Sequence, residues 1–249
     1  MKTDFGSYFD EYVRKNKNNQ ETIYYTESIE HNENVKKIFS LIEDNHDQVI
    51  LDAGCGIGNF LILLSKISKQ VYGIDISQES INLCEKRIKE EKIENASVQV
   101  ASLTDIPLPD KSIDKIFCYG VLLYLSNAET EIAIKEFKRI LKDDGSVIIN
   151  FVNGSSPWGI TTRLIRAIRQ VIKGKKEYSS NYIYYNKLRK IIENQKGQVN
   201  LIHSAYFYPV YFPARLIKWI GIRFYFEKYL PEYIKQFGKS ITIYFQFEG

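Results

Sequence analysis

Short apolar runs recur near residues 48–52, 70–75, 97–101, 114–119 and 146–151, and stretches with apolar positions three and four apart separate them. The runs predict buried strands, and the stretches predict amphipathic helices. Strand and helix in alternation imply a parallel sheet covered on both faces. Ahead of this core, Phe5, Tyr8, Phe9, Tyr12 and Val13 share one face of a helix expected over 5–20, which passes into a polar linker. Ile29, Val35, Ile38, Phe39 and Ile42 point inward from a second helix expected over 21–45. Beyond 151 a turn-rich loop, Asn153 to Gly159, precedes helices near 159–173 and 181–194. Two further strands are expected at 198–207 and 240–247, separated by an aromatic, basic insertion over 208–239. The chain thus divides into 1–45, 46–151 and 152–249, without internal repeats.

Candidate chemistry begins at the end of the first strand. Val49-Ile-Leu-Asp52-Ala-Gly54-Cys55-Gly56-Ile-Gly58 delivers a buried strand into a turn with glycine at every second position, and an apolar helix follows. Glycine suits a turn that needs positive φ or that brings a ligand onto the main chain. Dinucleotide sites use G-x-G-x-x-G with a pyrophosphate at the helix start. Here the spacing is G-x-G-x-G, and Asp52 would repel a phosphate but suit an ammonium group. Asp75 ends the second strand, 21 positions after Gly54. Such a carboxylate can accept hydrogen bonds from vicinal ribose hydroxyls. It can equally cap the helix that starts near Ser77.

Asp52-x-Gly54-x-Gly56-x-Gly58 resembles motif I of class I S-adenosylmethionine-dependent methyltransferases. Three later segments agree with that family in order. Ser97 to Asp114 resembles its "GDA-x-x-LPFPD-x-SFD" stretch, Lys115 to Leu125 its fourth strand and "VLHHL" segment, and Glu131 to Ile149 its helix, "LKPGG" turn and fifth strand. The small-molecule, ubiquinone/menaquinone-methyltransferase-like "type 11" group is the most similar. The resemblance implies a Rossmann-like α/β fold: a seven-stranded, mostly parallel sheet with an antiparallel last strand and helices on both faces. An N-terminal helical cap over 1–45 and a helical insertion before the last strand complete it. It implies S-adenosyl-L-methionine as cofactor, held by Asp52, Gly54, Cys55, Gly56, Gly58, Asp75, Ile76, Ser102, Leu103 and Tyr119. Two departures stand out. Ser102 replaces the acidic residue that meets the adenine amino group, and Asp143 replaces the turn proline. Cys55 also reads as a small neutral filler.

Charge changes the picture after residue 150. Residues 1–150 hold 18 Lys+Arg against 25 Asp+Glu, net −7, whereas 151–249 hold 16 against 5, net +11. Both tryptophans and 21 of the 34 aromatic residues lie in that second part, which implies a change of task. Arg163, Arg166, Arg169, Gln170 and Lys173 occupy one arc of a helix opposite Ile160, Leu164, Ala167, Ile168 and Val171. That arc fits a solvated face or attraction to an anionic surface: a phosphate-bearing substrate, acidic lipid or RNA. Residues 212–230 read as a lid, a contact to a second copy in a homodimer, or a wall for a lipophilic acceptor. Nucleic acid is disfavoured, because basic residues there interleave with core-type apolar ones.

Three scattered cysteines, at 55, 84 and 118, suit reduced thiols rather than a disulfide scaffold. No leader or membrane-length run is evident, so a cytoplasmic protein, at most peripheral at a membrane, is expected. The histidines and carboxylates show no metal-ligand spacing, and no metal is expected. A general base is needed only where the acceptor must lose a proton. Tyr24, Tyr25, His31 and Tyr119 are candidates near the mouth, with His203 further out, and none is assigned. The expected activity is methyl transfer to a small amphipathic or lipid-like acceptor, with oxygen favoured. An RNA methyltransferase and a non-catalytic docking module are the alternatives.

Overall fold

The computed structural model describes residues 5–16, 36, 38–40, 42, 46–156, 159–160, 164, 183–205 and 240–248. A helix, α1 (Phe5–Asn16), precedes the sheet. The core then runs β1 (Val49–Ala53), α2 (Asn59–Ser65), β2 (Gln70–Asp75), α3 (Gln78–Glu90), β3 (Ala96–Val100) and β4 (Ile113–Tyr119). A 3-10 turn at Leu122–Tyr124 leads to α4 (Asn127–Ile140), β5 (Leu141–Val152), α5 (Tyr185–Glu193), β6 (Gly197–Ala205) and β7 (Ser240–Phe247). The seven strands lie in the order β3-β2-β1-β4-β5-β7-β6. Neighbours from β3 to β5 pair in parallel, and β7 inserts antiparallel between β5 and β6. The expected sheet, including its antiparallel last strand, is therefore present.

Period-two alternation sends successive residues of each strand to opposite faces. Leu51, Ile116, Val147 and Ile149 pack with Ala133, Ile134 and Phe137 of α4 and with Leu188 and Ile192 of α5. Ile50, Val71, Phe117 and Ile148 pack on the other face with Leu61 and Leu64 of α2, Ile81 and Cys84 of α3, and Ile38 and Ile42. Helix starts are set locally. Ser126 and Glu129 form a capping box at α4, with Ser126 Oγ accepting Glu129 N–H at 3.2 Å and Glu129 Oε2 accepting Ser126 N–H at 2.8 Å.

Two expectations need correction. Tyr8 and Tyr12 of α1 are exposed, at 37% and 47%, and the buried residue is Val13. The helix is turned so that Asp10 reaches α3, accepting Ser77 Oγ–H at 2.6 Å and Glu79 N–H at 3.0 Å. The fifth strand starts at Leu141, not 146, because Leu141 already pairs with Ile113 before the register shifts through Asp143 and Gly145. Lys142 Nζ, 2.7 Å from Asp114 Oδ1, fastens that shift to β4. Most of the expected helices over 21–45 and 159–173, and all of 208–239, lie outside the described residues.

The core makes a contrast that can be measured. Phe137 is fully buried, while Ile132 on the same helix is 44% exposed. Phe137→Ala is expected to cost about 3–5 kcal/mol in chemical denaturation. Ile132→Ala is expected to change stability by no more than about 0.5 kcal/mol.

Candidate cofactor site

The glycine turn is folded back over β2. Gly54 N–H and Cys55 N–H both donate to the Ile74 carbonyl, at 2.8 and 2.9 Å, and Gly58 N–H closes the turn onto Cys55 O at 3.0 Å. Gly54 has φ +82°, and a Cβ there would lie 2.2 Å from a Val121 methyl. Packing excludes a side chain at that position. Gly56, with φ +53°, differs: a Cβ there would meet nothing within 4 Å, so this glycine fronts open space.

Asp75 holds the turn. Its Oδ2 accepts Gly56 N–H at 2.9 Å and its Oδ1 accepts Ser77 N–H at 2.9 Å. The cap of α3 is Ser77, whose hydroxyl accepts Ser80 N–H at 3.0 Å, so the helix-cap alternative for Asp75 gives way. A carboxylate offers about four acceptor sites, so Asp75 keeps acceptor capacity beyond its backbone bonds. Burial raises the Asp75 carboxyl above its ordinary value, with Asp10 adding to the effect, against the Ser77, Gly56 and Ile76 N–H groups that lower it.

Asp52 sits beneath the turn, 2% exposed. Its Oδ2 is buried without a hydrogen-bond partner among the described residues. Burial, then the Asp75 charge, pushes this carboxyl up to about 8, with the Leu61 N–H acting in the opposite sense. A buried polar atom left unpaired is costly. Cys55 also points down. Its Sγ lies 3.0 Å from where a Gly73 Cβ would stand, and contact with Cys84, then burial, holds the thiol well above its ordinary value. Cys55 therefore lines the turn with main chain alone, and its side chain is core filler.

The other expected residues fall around the same edge. Ile76 is 45% exposed just past β2, and Val100 is 42% exposed at the end of β3. Ser102 Oγ lies 2.8 Å from Thr104 Oγ1 and accepts Thr104 N–H at 3.2 Å, while the Leu103 side chain is buried in the core. The Tyr119 ring packs 4.6 Å from Phe60 and 6.1 Å from Phe117. Tyr24, Tyr25 and His31 lie outside the described residues, and His203 takes its place on β6 in register with Thr242. Among the described residues no group of three or more His, Cys, Asp or Glu could hold a metal ion, and no helix is long and apolar enough to cross a membrane.

Sequence reasoning missed two supports. Arg87 is 6% exposed, and its Nη1 donates to Ile57 O and Asn59 Oδ1, both at 2.8 Å, clamping the far end of the turn to α3. Within the Lys-Arg-Ile-Lys-Glu-Glu-Lys run it reads as a solvated charge. Asp10 was hidden on a helix assigned by its apolar positions. That helix also reaches the segment after β4, where Phe9 meets Tyr124 edge-on at 4.8 Å. It thus joins the starts of two segments that flank the turn.

Residues 51–149 match the family model described as a methyltransferase domain. The uncharacterized methyltransferase YcgJ of Bacillus subtilis is 28% identical over 100 residues, 40% of this chain and 39% of that protein. Its crystal structure superposes with a TM-score of 0.63 at 16% identity, covering 86% of this chain and 99% of that one. A chain from the Haloferax volcanii complex between the Trm112 activator and a putative methyltransferase gives 0.67 at 14% identity, covering 97% and 98%. A SAM-dependent methyltransferase from Aquifex aeolicus gives 0.56 at 19% identity, covering 84% and 87%. The chain spans about half the length, or less, of the first curated relatives it matches.

The raised Asp52 carboxyl sets a pH dependence. In the folded chain it titrates near 8 against an ordinary value of 3.8, so between these values the folded state holds a proton that the unfolded state has released. Its contribution to stability is full below about pH 4 and is lost as pH rises through about 8. Melting temperatures recorded from about pH 5 to 9 without added ligand are expected to fall, and Asp52→Asn is expected to flatten that fall. An unchanged slope in the variant would assign the proton to another group.

Proposed function

We propose that this chain, whose core belongs to the class I S-adenosylmethionine-dependent methyltransferases, transfers a methyl group to a small amphipathic acceptor, most readily at oxygen. The observation that carries the assignment is the unpaired Asp52 Oδ2 buried under a glycine turn that fronts open space. A cationic ligand group suits an unpaired carboxylate there, and a phosphate does not. Bound S-adenosylmethionine would supply a methyl carbon already activated on a sulfonium.

The residues would divide the work as follows. The turn from Gly54 to Gly58 lies along the ligand with bare main chain, and Asp52 favours an ammonium group. Asp75 offers its remaining acceptor sites to ribose hydroxyls. Ile76 and Val100, exposed on either side, would become walls for a base once covered. Ser102 keeps part of its hydroxyl's capacity for an adenine amino group, since Thr104 uses the rest. Rate would come chiefly from aligning the acceptor and excluding water, without an assigned base. Residues 1–45 would act as the cap, and 152–249 would serve the acceptor side. The net +11 charge of 151–249 supports that role, as do Ile160 and Leu164, exposed at 51% and 63% at positions that the sequence pattern reads as an apolar arc.

Calorimetry with adenosylhomocysteine tests the assignment. Binding is expected, and Asp75→Ala is expected to weaken it about 100-fold, the loss of two hydrogen bonds to a charged group. No heat with adenosylhomocysteine, together with tight binding of NADH or ATP, would overturn it.

A further inference from the structure

Tyr119, Asn150 and Thr242 form a row at the carboxyl ends of β4 and β5 and the amino end of β7, and only Tyr119 of the three is among the expected cofactor residues. Tyr119 pairs in register with Asn150, and Asn150 with Thr242. This row lies two residues beyond Phe117 and Ile148, whose side chains face α2. Asn150 therefore faces the same side as Tyr119 and Phe60. Because Asp52 pairs with Phe117, the row is level with Gly54, the first glycine of the turn. Strand spacing puts β5 two strands, about 10 Å, from β1.

Asn150 is 6% exposed, on the face of the sheet that carries Phe117, Tyr119 and Tyr244. Its Nδ2 donates to Ser240 Oγ at 3.0 Å and to Thr242 Oγ1 at 2.8 Å, so both of its N–H groups point toward β7. The carboxamide is planar and forks at Cγ, so Oδ1 diverges from the arm that Ser240 and Thr242 hold. No hydrogen bond to Oδ1 from a described residue accompanies those two. A single oriented acceptor in an aromatic wall fixes the orientation of a mostly apolar ligand.

We infer that Asn150 is an acceptor-orienting residue: its side-chain carbonyl accepts a hydrogen bond from a protic head group, a hydroxyl, phenol or amine, on the molecule to be methylated. Thr242 and Ser240 are positioning residues that hold the carboxamide. Asn150 takes no proton. It presents the head group's lone pair while the aromatic wall receives the apolar remainder. This assignment rests on the methyl-transfer function proposed above, and it narrows the acceptor to a protic oxygen or nitrogen compound.

The test uses the full chain, tritiated S-adenosylmethionine and a fixed panel of alkyl phenols, aliphatic alcohols and primary amines, with adenosylhomocysteine affinity measured in parallel. The wild-type chain is expected to methylate members of the panel. Asn150→Leu is expected to lower kcat/KM about 10- to 100-fold, the value of one buried hydrogen bond, with adenosylhomocysteine affinity within about twofold of wild type. Thr242→Val, which only loosens the carboxamide, is expected to lose about three- to tenfold, and Asn150→Asp to regain part of the activity by restoring an acceptor oxygen. Wild-type kcat/KM in Asn150→Leu would overturn the inference. So would an equal loss of adenosylhomocysteine affinity in Asn150→Leu and Thr242→Val, which would mark a structural network. A wild-type chain that binds adenosylhomocysteine but methylates nothing in the panel would overturn it too, and leave the cofactor assignment standing. A wild-type chain that does not bind adenosylhomocysteine would remove both.

Discussion

The hydrogen bond from Gly56 N–H to the Asp75 carboxylate is the constraint on which the site depends. It joins the turn after β1 to the end of β2, where the Ile74 carbonyl already takes the N–H groups of Gly54 and Cys55. The turn is therefore built on its neighbouring strand rather than on itself. Arg87 fixes the opposite end through Ile57 and Asn59. A ligand that engages Asp75 acts on the same carboxylate that sets the turn, so recognition at β2 and shape at β1 are one event. Rigid pre-organisation of this kind lowers the entropy lost on binding.

The same arrangement stores an electrostatic cost. Asp52 and Asp75 lie close enough for the charge of Asp75 to raise the Asp52 carboxyl, and burial raises both. Without a ligand the low-dielectric pocket favours a proton on Asp52. A bound cation would replace that proton, so Asp52 exchanges one positive charge for another. Asp10, brought in by α1, adds to the raising of Asp75 but is itself engaged by the first turn of α3. Its helix is thereby seated beside the turn by polar contacts as well as by Val13.

Much of this was written in the chain as steric exclusion and burial, which act on residue type directly. Strands buried on both faces produce mostly apolar runs, so β1, β2, β4 and β7 were legible within a residue or two. The glycines were legible because Val121 leaves no room for a Cβ at Gly54, and Gly56 turns with a φ of +53°, where a side chain is strained. What depended on a partner distant in sequence was not. The rotation of α1 follows from Asp10 meeting Ser77, 67 residues away, and no periodicity in 5–16 encodes that. Arg87 looks like its exposed neighbours Lys86 and Lys89 until α2 is placed beside it. Asn150 was counted only as the end of an apolar strand, because the hydroxyls that orient it arrive 90 and 92 residues later.

The two halves of the edge differ in a way that fits methyl transfer. A carboxylate beside a charge that persists through the reaction strengthens reactant and transition state equally. A carboxylate beside a charge that disappears as the methyl leaves would favour the reactant and raise the barrier. Asp52 and Asp75 stand on β1 and β2, where the ammonium and ribose groups of the proposed cofactor would lie, and those groups are unchanged by the chemistry. The row on β4, β5 and β7 carries a phenol, an amide and hydroxyls, all neutral, beside the Phe60 and Phe117 rings. Neutral dipoles can orient an incoming lone pair without holding the sulfonium back. Negative charge is thus kept where it aids binding alone, and the described row, where positive charge must vanish, carries none.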